Sequence, residues 1–190
     1  MNAQEEVGDS SEQDQPDTPR LDQGERPGFG DAWHDSPLSM LVATFGGIGH
    51  LPGGPGTYAA ALFTPAVVWM SQYDLELRLA CFWAATFLSF YWCGKAGRAL
   101  GEPDSDLIVL DEVIGVWATL VLFSDLYEDF LWLPALAGLI AFRILDVVKP
   151  PPARRLDDSQ HGGAAVVADD LVAALWSIPV VLLVRWLLTM

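Results

Sequence analysis

Five carboxylates stand in surroundings where a carboxylate is costly. Asp111 and Glu112 follow Leu107-Ile108-Val109-Leu110 and precede Val113-Ile114-Gly115-Val116-Trp117. Asp146 sits between Arg143 and Lys149 near the end of a second apolar run, and Asp169 and Asp170 open a third. An ionised acid at the centre of a lipid-facing helix costs about 2.5–3.5 kcal/mol on insertion scales. Such acids therefore face other helices or a wet cavity, and they mark function by default. Packed together they repel one another unless protonated or bridged by a cation. An oxygen-rich, thiol-free donor set suits Mg2+, which is typically held by one or two carboxylates together with substrate phosphate. Arg143, Asp146 and Lys149 are spaced i, i+3, i+6 on one helical stripe, so Asp146 can bind metal while Arg143 and Lys149 hold phosphate. Each group also has a purely structural reading. Asp111 and Glu112 could simply favour the positive end of a helix. The Arg143 stripe could neutralise itself, and Asp169-Asp170 could cap a helix.

A second feature lies upstream. Gly46 to Thr57 holds six glycines and two prolines in twelve residues, which excludes a regular helix. Its backbone could cradle phosphate, with Gly47, Gly49, Pro55 and Gly56 shaping a headgroup pocket. Thr57 could give its hydroxyl to phosphate or cap the helix that follows. No Lys-Ser/Thr pair of a nucleotide-binding loop is present. His50 and His161 lie beside glycines and read mainly as loop residues; His34 lies in the tail. Cys93 and Arg98 are one residue too close for the loop of a cysteine-dependent phosphatase, and Cys81 and Cys93 sit in apolar stretches with no disulfide framework.

The elements that must position these groups follow from composition. The chain has 190 residues, 25 acids, 10 Lys+Arg and a net charge of −15. This argues against nucleic-acid binding, which needs a basic face. Residues 1–36 carry 10 of the acids and 7 apolar residues; such a segment is expected to be a disordered acidic tail. Residues 37–190 are roughly 60% apolar, above the ~45–50% of soluble domains. After a short apolar stretch at 38–45, five apolar segments fall near 57–72, 75–94, 107–123, 130–148 and 170–189. The expectation is an all-α integral membrane bundle of about five transmembrane segments. Seven of eight tryptophans lie in these segments, several near their ends, as interfacial belts require. Lys95, Arg98, Lys149, Arg154 and Arg155 follow the second and fourth segments; the loops after the first and third carry Arg78 and mostly acids. The positive-inside rule then puts the glycine loop and all five carboxylates at the cytoplasmic ends of their segments.

At these residues the sequence resembles the phosphatidylglycerophosphatase A family. Gly47 to Thr57 matches G-x-G-x-x-P-x-x-P-G-T, Ile108 to Gly115 matches I-V-x-D-E-x-x-G, and Phe142 to Pro152 matches F-R-x-x-D-x-x-K-P-x-P. Gly162-Gly163 followed by Asp169-Asp170 completes the order. Ala59-Ala60, Leu107 and Ala164-Ala165 depart from the commonest pattern. The resemblance implies Mg2+-dependent hydrolysis of phosphatidylglycerophosphate to phosphatidylglycerol and phosphate. It also implies the bacterial inner membrane and the last step of phosphatidylglycerol synthesis. On this reading Asp111, Glu112, Asp146 and Asp170 are catalytic, with Asp169 joining them as metal ligands. Gly47, Gly49, Pro55, Gly56, Thr57, Arg143 and Lys149 bind substrate. The rivals are a membrane transporter or ion pathway, which would spread its acids through the membrane depth, a phosphatidyl-group transferase, whose D-G-x-x-A-R pattern is not found, and a soluble domain with a buried acid cluster.

Overall fold

The computed structural model describes residues 29–102, 105–123, 132–148, 163–188 and 190. Lys149, Arg154, Arg155, His161 and residues 1–28 lie outside that set. Among the described residues the chain is all-α, with no strand. The helices are α1 (Phe29–Asp35), α2 (Pro37–Ala43), α3 (Pro55–Met70), α4 (Leu75–Leu100), α5 (Leu110–Leu120), α6 (Trp132–Val148) and α7 (Gly163–Leu188), with a single 3-10 turn at Ile48–His50.

The short helix α5 is the axle of the bundle. Val113, Ile114, Val116 and Leu120 are buried along it, as expected of a largely apolar helix enclosed by other helices. Helices α3, α4, α6 and α7 pack around it. Trp117 stacks at 5.3 Å from Phe63 of α3 and 5.9 Å from Phe82 of α4. Gly115 is a close crossing, since an added methyl there would enter the Phe142 ring of α6. Gly94 and Gly163 bring the backbones of α4 and α7 together in the same way. Four buried hydroxyls are satisfied within their own helices. Thr64, Thr86, Thr119 and Ser177 each donate to the carbonyl four residues earlier.

The surface inverts the soluble pattern. Leu62, Phe87, Leu136, Leu175, Leu182 and Leu183 are each more than half exposed, and apolar side chains grouped this way mark an interaction surface. Among the described residues only α7 is long and apolar enough to cross a membrane, so the structure supports the all-α class and one candidate span rather than five. The expected span at 107–123 is an 11-residue helix, about 16 Å long at 1.5 Å per residue. The hydrocarbon core is about 30 Å thick. Helices α3 and α6, with 16 and 17 residues, stand at or below the lower limit of ~17.

Three further expectations change. Residues 29–35, placed in the disordered tail, are helical, and Ala32 is fully buried, because α1 packs on α2 and α4. Arg78, counted as a loop charge, lies inside α4 with 4% exposure. Its Nη1 donates to the carbonyls of Val121 at 3.0 Å and Phe123 at 2.6 Å. It thus closes the C-terminal end of α5, where carbonyls lack helical partners. Replacing Arg78 by Met is expected to lower stability by about 1–3 kcal/mol through these stranded acceptors. A thermal melt in detergent would read this as a lower Tm, with turnover per folded molecule unchanged. Finally, Asp169 and Asp170 lie nearly two turns inside α7, which removes the capping reading.

Candidate active site

Antiparallel neighbours bring the start of α3, the end of α4, the start of α5, the end of α6 and the first turns of α7 to one end of the bundle. Arg143, in the last turns of α6, ties this end together. Its Nε donates to Thr57 Oγ1 at 3.1 Å. Its Nη1 donates to Glu112 Oε1 at 3.2 Å and to Asp146 Oδ2 at 2.9 Å. A single guanidinium thus joins α3, α5 and α6, and such charge-assisted bonds are the strong ones. The Arg143–Asp146 bridge expected within the stripe exists, but Arg143 also reaches off its own helix.

Deeper in, Asp111, Asp169 and Asp170 are buried at 8%, 7% and 4% exposure. Asp111, Asp146 and Glu112 are the carboxylates that neighbour Asp170. Asp170 Oδ2 is sealed from solvent and receives no hydrogen bond from a described residue. Four separated stretches of sequence therefore meet: the glycine loop, 111–112, 143–146 and 169–170. Cys93, fully buried on α4, faces the same cluster, with Asp111, Asp170 and Glu112 as its charged neighbours. Sequence reasoning set it aside as a cysteine in an apolar stretch, and no spacing signal ties it to the carboxylates. Cys93 and Arg98 sit within one helix rather than a loop, so their resemblance to a phosphatase loop is accidental.

The glycine loop serves two ends. Four amides between Gly47 and Leu51 are used internally. Gly47 donates to Thr44 Oγ1 at 3.0 Å, Gly49 to the Thr44 carbonyl, His50 to that of Gly47 and Leu51 to that of Ile48. Gly47 holds φ +96°, a conformation that favours glycine. Gly49 lies against the Leu107 carbonyl, and Val109 N–H donates to the Ala43 carbonyl at 2.9 Å. This half seats the start of α5, and the amides it engages there are bonded within the chain. The second half is different. Pro55 occupies the first turn of α3, behind the N-cap Gly54, where a missing N–H costs nothing. The Gly56 and Thr57 amides make no backbone hydrogen bond, as helix starts leave them. Thr57 is not a cap; its hydroxyl accepts from Arg143.

Gly56 packs directly on the Glu112 carboxylate, leaving no room for a methyl group. Gly56→Ala is expected to push Glu112 away from Arg143 and to cut kcat by roughly 10²-fold, the cost of an ångström of misplacement. Gly30→Ala, where nothing lies within 4 Å, is the neutral control in the same steady-state assay.

The donor set bears on the expected metal. Among the described residues no group of three or more His, Cys, Asp or Glu side chains is arranged to enclose an ion. A cage made wholly by protein is not what this site offers. Buried hard oxygens on α5 and α7, one of them without a donor, do fit the way Mg2+ is bound by one or two carboxylates and completed by phosphate and water. Lys149 lies outside the described residues.

A family model, Phosphatidylglycerophosphatase A, matches residues 41–185. The chain belongs to the phosphatidylglycerophosphatase A family. The match spans all four convergent stretches. Phosphatidylglycerophosphatase A of Escherichia coli is 32% identical over 142 residues, 75% of this chain and 80% of that protein. Phosphatidylglycerophosphatase A of Haemophilus influenzae is 30% identical over 155 residues, 80% and 92% of the two chains. A Bacteroides thetaiotaomicron protein named "Putative phosphatidylinositol-3-phosphatase" is 31% identical over 158 residues, 80% and 96% of the two chains. No solved structure matches. Thr57, Glu112, Arg143 and Asp146 all lie within the matched residues.

Proposed function

We propose that this chain hydrolyses the terminal phosphomonoester of phosphatidylglycerophosphate, giving phosphatidylglycerol and inorganic phosphate as a step of phospholipid biosynthesis. The observation that carries the reading is Arg143, held by Thr57, Glu112 and Asp146 beside the buried Asp111 and Asp170. A phosphate seated there meets the guanidinium and the Gly56 and Thr57 amides at the positive end of α3. Water attacks phosphorus as the ester P–O bond breaks, and the departing glycerol oxygen takes up a proton. Charge that builds on the phosphoryl oxygens is offset by Arg143, already aimed and therefore needing no reorganisation. Mg2+, when bound through Asp111 and Asp170 with their neighbours, supplies Lewis acidity and a more acidic water. The apolar exterior supports a bacterial inner-membrane setting with about five apolar segments in or against the bilayer and the site facing the cytoplasm. The single-ended placement of the acids speaks against an ion pathway through the membrane depth.

The name of the Bacteroides relative favours a second substrate of the same chemistry, an inositol lipid phosphate. Phosphate release by purified protein in detergent from phosphatidylglycerophosphate, phosphatidylinositol 3-phosphate and glycerol 3-phosphate separates the readings. The proposal expects the first to be preferred. Preference for the second moves the assignment to inositol lipids. Turnover of glycerol 3-phosphate as fast as either lipid would remove the lipid from the specificity, and no release from any of them would overturn the proposal.

A further inference from the structure

The guanidinium that organises the site stands at the end of an outward-facing seam. Helices α3 and α6 pack side by side. The bond from Arg143 Nε to Thr57 Oγ1, 3.1 Å long and exposed, joins them at the site end. From that bond an apolar stripe runs along each helix. On α3 it is Tyr58, Leu62 and Trp69, exposed at 46%, 63% and 53%. On α6 it is Leu133, Leu136, Ile140 and Ile144, exposed at 48%, 51%, 51% and 57%. These recur every three or four residues and so share one face. At about 100° per residue, Arg143 falls at the edge of that face. Tyr58 marks the level at which the stripe meets water. Its ring lies on the apolar face, and its hydroxyl lies beside the glycine loop, 3.4 Å from where a methyl on Gly53 would stand. A ring with an apolar body and a wet tip sits at a membrane–water boundary. Tyr58 to Trp69, and Ile144 to Leu133, each cover about 16 Å of helix axis at 1.5 Å per residue. That is close to half of the ~30 Å hydrocarbon core, the depth that one lipid's acyl chains fill in one leaflet.

We infer that the lipid substrate binds sideways, its acyl chains lying along the α3–α6 seam against Leu62, Ile140 and Ile144 while its phosphate meets Arg143. The inference rests on the lipid phosphatase reading above and adds where the acyl chains lie. Both walls of the seam end on residues of the site, so a headgroup reaches the guanidinium while its chains stay in the leaflet. A phosphate without apolar chains gains nothing from these walls, which makes the seam a determinant of specificity. Ala61 is the position that tests it. It is exposed and lies one turn from Thr57 on the same side of α3, so a tryptophan there stands in the seam. Ala66 is exposed as well. At about 100° per residue it is turned about 180° from Thr57, so a tryptophan there points away.

The test uses the full chain in detergent and two readouts. The first is the ratio of kcat/KM for phosphatidylglycerophosphate to that for the same compound stripped of its acyl chains. Ala61→Trp is expected to lower this ratio roughly tenfold or more, the scale on which an apolar pocket discriminates, and Ala66→Trp to leave it within about twofold. The second is photolabelling of the parent by phosphatidylglycerophosphate carrying a diazirine midway along one chain, with adducts located by mass spectrometry. Adducts at Leu62, Ile140 and Ile144 that excess unlabelled substrate removes are the expected result. Adducts spread equally over Phe87 of α4 and Leu182 of α7 overturn the inference, as do seam adducts that excess substrate leaves undiminished. A seam that takes no label while those faces do is covered by something else, such as a second copy, and overturns it as well. Equal ratios in the two tryptophan variants also overturn it. If Ala61→Trp fails to fold, the labelling of the parent decides. Phosphate release without seam labelling removes the inference and leaves the phosphatase reading in place. Seam labelling that substrate displaces, without phosphate release from either compound, overturns the phosphatase reading and keeps the seam as a lipid-phosphate site.

Discussion

Asp170→Asn is expected to abolish phosphate release, by a factor on the order of 10³ or more, while leaving the protein folded and at least as stable as the parent. The side chain is 4% exposed, and Asn occupies nearly the same volume, so the packing of α7 on α4 and α5 stays intact. What disappears is one of four carboxylates that act on one another at the end of the bundle. Like charges held in a buried site are costly, and proteins keep such arrangements where chemistry needs them rather than for stability. On the proposed metal-assisted reading, the loss in rate follows from removing an oxygen that would help place the cation, whose contribution to a transition state is worth several kcal/mol. Two measurements check this together: steady-state phosphate release and a thermal melt in the same detergent. A variant with near-parental turnover would take Asp170 out of the site. A variant with a collapsed melt would make its role structural.

Arg143→Lys is expected to cost roughly 10²–10³ in kcat/KM, the scale found when one donor to a developing oxyanion is removed. Charge is retained, so a simple electrostatic role would survive the change. The guanidinium, however, bonds Thr57, Glu112 and Asp146 in three directions, and an ammonium on a flexible stem cannot reproduce that fork. Arg143→Ala should fall further and should also destabilise the fold. It leaves Glu112 and Asp146 facing each other without their shared cation, a change that costs about 3–5 kcal/mol in fully buried pairs and less here, where the side chains keep 16–17% exposure. The ordering parent, Lys, Ala in kcat/KM, with only Ala lowering Tm, is the expected pattern. Equal activity of Lys and parent would reduce Arg143 to a point charge.

The convergence of the site was legible from the sequence because charges in apolar surroundings are few and expensive. Alternating apolar segments return to the same end every second crossing, so the positions of Asp111, Arg143 and Asp170 along their segments already placed them together. The family resemblance rested on the same stretches. Helix ends were less legible. The glycine that opens α7 reads as a breaker, yet Gly163 is helical because α4 approaches too closely for a side chain. That moved Asp169 and Asp170 from a helix start to nearly two turns inside it. Arg78 read as a loop charge because an arginine is rarely buried. Only the fold reveals the Val121 and Phe123 carbonyls that it satisfies. The segment at 107–123 is apolar apart from Asp111, Glu112 and Thr119 and long enough to be read as a span. Its helical part is short because α5 is a core element surrounded by other helices, and hydropathy does not distinguish protein from lipid as the apolar neighbour. The glycine loop was read as a phosphate cradle along its whole length. Four of its amides are engaged between Thr44 and Leu51, while the Gly56 and Thr57 amides open α3 without a backbone partner.

The most direct test of the central claim is phosphate release from phosphatidylglycerophosphate by the purified protein in detergent, measured with Mg2+ and with excess chelator. The account predicts release that requires the cation, returns when Mg2+ is restored, and is lost in Asp170→Asn. Absence of release from folded protein under both conditions would contradict it.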